Sequence, residues 1–106
     1  MTFLRRGLAA AALLAALAAP AMAQDPSFRV NNRSNQVINE IYVSSSNDNS
    51  WGADRLGANV LQPGQFLMVT LPAAQCMNDI RIVLADGQAL ERRRVDTCQI
   101  TDYNIE

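Results

Sequence analysis

Apolar and polar residues alternate in short runs along most of this chain, the period of two that marks half-buried strands. Phe28 and Val30 alternate with Arg29 and Asn31. Residues 32–35 (NRSN) read as a turn, because Asn and Ser side chains bond their own backbone and Asn tolerates a left-handed φ. Residues 36–44 form a second strand with conflicting parity: Val37, Ile41 and Val43 share one face, Ile38 and Tyr42 the other. Either both faces are partly covered, or a bulge near Asn39 and Glu40 shifts the phase. Residues 65–71 (QFLMVTL) are apolar on both faces, which predicts a central strand, and Pro72 ends it.

The clearest alternation is residues 78–85, with Ile80, Ile82 and Leu84 inward and Asp79 and Arg81 outward. Charge decides the length of the turn that follows. A two-residue Asp86-Gly87 loop would set Arg81 opposite Arg92 and Ile82 opposite Glu91. A three-residue loop, Ala85-Asp86-Gly87, pairs Arg81 with Glu91, Asp79 with Arg93 and Ile82 with Leu90. Opposite charges across strands contribute a few tenths of a kcal/mol and like charges cost as much, so the longer loop with its left-handed Gly is expected. That register brings Cys76 near residues 96–98. Residues 100–105 are a last short strand. Six to seven short strands separated by Gly, Pro and Asn turns predict an all-β fold, a small antiparallel β-sandwich, with a small β-barrel as the alternative. Helix is confined to the N-terminal segment and one turn around residues 53–56.

Between the second and third strands lies the one long excursion, residues 44–64 (SSSNDNSWGADRLGANVLQPG), which holds the only Trp of the chain. Leu61-Gln62-Pro63-Gly64, near its end, fits a type II turn, in which Pro sets φ for the first central position and Gly supplies positive φ at the second.

The first 23 residues change the picture of composition. Arg5 and Arg6 precede a twelve-residue apolar run, 8–19, and Ala21-Met22-Ala23 matches the small-x-small cleavage rule. The run is short of the roughly 20 residues that span a bilayer. A cleaved signal peptide over 1–23 is expected, with one domain over 24–106; a retained membrane anchor is the alternative. No Cys follows the cleavage site to carry a lipid. The Arg pair leaves the route open between general secretion and twin-arginine export. The mature chain then keeps seven Arg against ten Asp and Glu, a net charge of −3, with no Lys and no His. A basic nucleic-acid footprint is missing, and a periplasmic or secreted location follows, with no membrane contact after cleavage.

A domain this small has a marginal core and calls for a covalent staple. Cys76 and Cys98, in an exported chain, are expected to form it. Closing that loop removes roughly 3 kcal/mol of unfolded-state freedom on the chain-entropy account. Two Cys without His are too few soft ligands for zinc.

Phe28-x-Val30-x-Asn32, Ile41-Tyr42-Val43-Ser44, Trp51-Gly52-x-Asp54-x-Leu56-Gly57, Pro63-Gly64, Cys76, Asp79-Ile80-Arg81 and Asp86-Gly87 together resemble small secreted bacterial proteins of uncharacterised function. The resemblance covers nearly all of residues 28–98. It implies the same exported β-sandwich and brings no activity and no catalytic residue with it.

Chemistry is sparse. Without His or Lys, and with both Cys bridged, the usual proton shuttle, Schiff-base amine and thiol nucleophile are missing. No catalytic, cofactor or metal residue is assigned. A binding surface is expected instead, with Asp48, Trp51, Asp54, Arg92 and Arg94 as its candidates. Asp48, Ser50 and Asp54 faintly resemble a calcium loop, but the twelfth-position Glu and flanking helices of an EF-hand are missing. Asx-turns, with Trp51 and Leu56 turned inward to plug one end of the sandwich and Asp54 bonded to the loop backbone, are the simpler expectation. Arg92-Arg93-Arg94 alternates across a strand, with Arg93 engaged by Asp79 and Arg92 and Arg94 on the Ile80 side. The expected function is an exported, non-catalytic binding module whose partner is another exported protein or a surface polysaccharide. A secreted inhibitor acting through residues 44–64 is the alternative, and a hydrolase using paired carboxylates the third reading. Oligomeric state is left open.

Overall fold

The computed structural model describes residues 25–106. The signal peptide expected over 1–23 and the mature start at Gln24 lie outside the described residues. Six strands follow in order: β1 (Phe28–Asn32), β2 (Ile38–Ser45), β3 (Phe66–Val69), β4 (Met77–Leu84), β5 (Ala89–Asp96) and β6 (Asp102–Ile105). They form two three-stranded sheets, β3-β1-β6 and β2-β4-β5, so the expected sandwich is the fold and the barrel is not. All strand pairs are antiparallel except β1 with β6, which run parallel.

One core joins the sheets. Phe28, Val30, Val69 and Ile105 come from one sheet; Ile38, Ile41, Val43, Ile80, Ile82 and Leu84 come from the other. Each fully buried side chain of this size contributes roughly 1.5–3 kcal/mol relative to exposure. The parity conflict in β2 is resolved by a bulge: its pairing with β4 slips between Ile38 and Glu40, which turns Ile38, Ile41 and Val43 to the same inner face.

The β4–β5 hairpin has the expected register, with Arg81 opposite Glu91 and Ile82 opposite Leu90. Its loop is Ala85-Asp86-Gly87, closed by the Gly87 N–H to the Leu84 carbonyl, and Gly87 has φ +88°. Near its open end the register slips once, leaving Arg93 and Arg94 together opposite Asp79. Cys76 and Cys98 are bonded there, with Cα atoms 5.1 Å apart. Buried Asn78 braces the same end, its amide donating to the Gln75 and Cys76 carbonyls and to the Thr97 hydroxyl. The disulfide fits an oxidising compartment, and among the described residues no helix is long and apolar enough to cross a membrane.

Three expectations shift. The single helical turn is a 3-10 helix at Thr97–Gln99, N-capped by Asp96, whereas residues 55–58 form a plain turn. The Pro63-Gly64 turn is closed from Gln65 N–H to the Gln62 carbonyl, one residue later than the frame that begins at Leu61. Residues 66–69 are an edge strand rather than a central one, with Phe66 57% and Met68 53% exposed.

Candidate functional site

The excursion after β2 is tethered far more than its polar composition implies. Asp48 N–H bonds the Ser45 carbonyl, which turns the chain out of β2. The Asp54 carboxylate then accepts from the backbone N–H groups of Ile41 (3.0 Å) and Leu56 (2.9 Å), while Arg55 N–H reaches the Ile41 carbonyl. Asp54 thus bonds the β2 edge as well as its own loop. Arg55 donates to the carbonyls of Val43 (2.9 Å) and Thr70 (3.3 Å), joining the chain just beyond β3 to the β2 edge. Leu56 turns into the core, and Leu61 exchanges backbone hydrogen bonds with Ile38. What projects is residues 47–50, all exposed.

Trp51 does not plug the core. It is half-buried on the outer surface of the β2-β4-β5 sheet, with the Arg93 guanidinium 4.6 Å from its ring centroid. Local geometry explains the difference. Asp54 and Arg55 pin the chain to the β2 edge, so the apolar side chain that reaches the core is Leu56, and Trp51 stays on the outside above Arg93.

Arg93 is held in turn by Asp79 (3.1 Å) and Glu91 (3.3 Å). Asp79 is the anchor of the cluster. Its side chain is 7% exposed, and it also accepts from the Ser46 hydroxyl (2.8 Å) and the Arg94 N–H (2.9 Å). The Arg94 N–H does most to hold the Asp79 carboxyl below the usual carboxylate range; burial opposes it, and Ser46 and Arg93 add to it. Arg94 adopts φ +55°, a conformation that costs a non-Gly residue about 1 kcal/mol, and its bond to Asp79 offsets that strain.

A hollow of about 440 Å³ opens beside Trp51, and Asp48, Ser50, Asp54 and Gln75 contribute to its wall. Of the candidate residues, Asp48, Trp51 and Asp54 are therefore brought together. Arg92 and Arg94 line no part of it. Arg92 pairs with Ile80 on the inner-facing side of an edge strand, and its charge reaches Tyr103, whose hydroxyl burial pushes up and Arg92 pulls down. Among the described residues, the grouping of three ligand-type side chains is Cys76, Asp96 and Cys98, and its sulfurs are bonded to each other.

Sequence reasoning missed a second surface. On the outer face of the β3-β1-β6 sheet, Asp102 accepts from Arg29, Asn31 and Thr101, while Asn31 also donates to Asn104. Asn31 first, then Arg29 and Thr101, draw Asp102 down to about 2. Arg29 also lies 5.6 Å from the Phe66 ring centroid. These polar residues alternate with buried Phe28 and Val30, so the period marked the face; only strand order could show that β6 supplies its carboxylate.

The fold and site define a small disulfide-stapled β-sandwich with a tethered loop and a half-exposed Trp. The chain matches no protein-family model, no curated protein and no solved structure.

Proposed function

We propose that this protein is an exported, periplasmic or secreted binding module without catalytic activity, and that it engages another exported protein through the hollow beside Trp51. The observation that carries the reading is Trp51 itself: outside the core, half-exposed, held against Arg93 and bordered by polar side chains. Aromatic rings of this kind are enriched as anchors at protein interfaces, because they offer large rigid area with few rotamers to order. The surrounding cluster holds the ring in place before binding, which reduces the ordering cost of association. The absence of His and Lys from the sequence, and the bonded state of both Cys, support the non-catalytic part.

Inhibition of an exported enzyme is a second reading, favoured by the exposed residues 47–50 on a stem tethered through Asp54 and Arg55. Affinity capture from periplasmic extract, with wild type against Trp51→Ala, tests the proposal. A protein retained by the wild type and lost with a folded Trp51→Ala variant is the expected result. Loss of activity in a captured enzyme would identify the inhibitor. Retention of a polysaccharide instead would redirect the assignment, and identical capture by both chains would remove Trp51 from the interface.

A further inference from the structure

β3 lies at the edge of its sheet, with β1 as its one strand neighbour. Odd-numbered residues of β1 bond toward β6, as shown by Arg29 N–H to the Thr101 carbonyl and Arg33 N–H to the Ile105 carbonyl. Even-numbered residues bond toward β3, as shown by Asn32 N–H to the Gln65 carbonyl. With Val30 opposite Leu67 and Phe28 opposite Val69, Leu67 and Val69 spend their backbone groups on β1. Antiparallel alternation then aims the N–H and C=O of Phe66 and Met68 away from the sheet. Thr70 obeys the same parity, and its carbonyl is capped from outside by Arg55.

The side chains repeat the pattern. Phe66 and Met68 stand on the outer face, 57% and 53% exposed. Beside the edge, Leu56, Val60, Leu61 and Leu67 line a hollow of about 520 Å³, with Val60 44% exposed. No Asp, Glu, Lys or Arg occurs anywhere from residue 56 to residue 78. Natural edge strands are usually blunted by charge, proline or a bulge, and this one has none of them over Phe66–Val69.

We infer that β3 is a self-association edge, which pairs antiparallel with β3 of a second copy of this chain across a two-fold axis at Leu67. The register is set by the outward groups. Phe66 faces Met68 of the second copy and Met68 faces its Phe66, two residue pairs that each exchange both backbone hydrogen bonds. The same register keeps both apolar pairs on the outer face and sets Leu67 against its own copy. Self-complementarity of this kind is what a two-fold interface requires. Residues 56–78 place no charge on β3, and Arg29, which lies over the Phe66 ring, is paired with Asp102, so a second copy brings no unpaired like charges to the axis. The contact is small beside the about 1,600 Å² of a standard interface, so the association is a concentration-dependent equilibrium.

Sedimentation of the purified disulfide-bonded protein, from micromolar to millimolar, tests the inference. The expected result is a shift from monomer to dimer mass for the wild type. Met68→Glu and Phe66→Lys each remain monomeric, with far-UV circular dichroism unchanged because both positions are exposed. Mixing the two variant chains restores a dimer, since the register sets the new carboxylate opposite the new ammonium. A wild type that stays monomeric to millimolar concentration overturns the inference, even if it pairs with a strand of some other protein. So does a dimer that survives both substitutions, or a mixture that associates no better than either variant alone. Phe66 and Met68 line no part of the Trp51 hollow, so partner capture through Trp51 stands or falls separately.

Discussion

The two sheets differ in how their edges are covered. In β2-β4-β5, the β2 edge is covered by Asp54, Arg55 and Leu61, and the β5 edge carries Glu91 to Arg94 with a bulge opposite Asp79. In β3-β1-β6, β3 has no charged residue of its own and bears exposed Phe66 and Met68, with Arg29 over the Phe66 ring and Arg55 on the Thr70 carbonyl. Both sheets contribute to one core, so core packing alone does not demand this asymmetry. The covered sheet presents Trp51 on a braced surface; the bare edge offers backbone groups directly. One small domain thus exposes two unlike surfaces, a braced aromatic ring and a bare strand edge.

The largest effect should come from the brace. Asp79→Ala leaves the Arg94 N–H and Ser46 hydroxyl without their acceptor and frees Arg93, and is expected to cost about 3 kcal/mol in urea unfolding. A loss below about 0.5 kcal/mol would mean that the charged sheet is not held by this carboxylate. The pH dependence follows the same group. Its folded pKa lies below its unfolded value, so its contribution is fully present above the ordinary carboxylate range and is lost as pH falls through the folded value. Asp79→Asn should flatten that part of the acid limb, and an unchanged limb would refute the assignment.

Trp51→Ala is next. A ring held on the surface by one guanidinium should cost about 1 kcal/mol, the scale of a cation–π contact with partial burial. A loss of about 3–5 kcal/mol would instead be that of a core aromatic and would erase the contrast between surface and core roles. Arg81 and Glu91 give a smaller signal. A double-mutant cycle should return a coupling of about 0.5 kcal/mol for a half-exposed pair, and strictly additive losses would show that the two do not interact. The smallest effect belongs to the bare edge: Met68→Glu should change the unfolding free energy of the monomer by no more than about 0.5 kcal/mol. A larger destabilisation would mean that Met68 supports its own chain rather than a second copy.

What the residues determined on their own was local. The β4–β5 hairpin was legible because its partners are close in sequence, and the charges of Arg81, Glu91, Asp79 and Arg93 penalise every other register. The disulfide closes the end that the same register brings together, and Leu56 turning inward followed from its place as an apolar residue in a polar loop. Tertiary structure decided the rest. A strand apolar on both faces, such as residues 66–69, fits a central position or a bare edge equally well, and only its single neighbour β1 distinguishes them. Trp51 left the core because Asp54 and Arg55 meet backbone groups of β2 and the chain after β3, partners separated from them by 12 to 15 residues. The parallel pairing of β1 with β6 joins the two ends of the described chain. Hydrophobic period carries no information about such long-range pairings, because it records which face of a strand is buried and not which strand lies beside it.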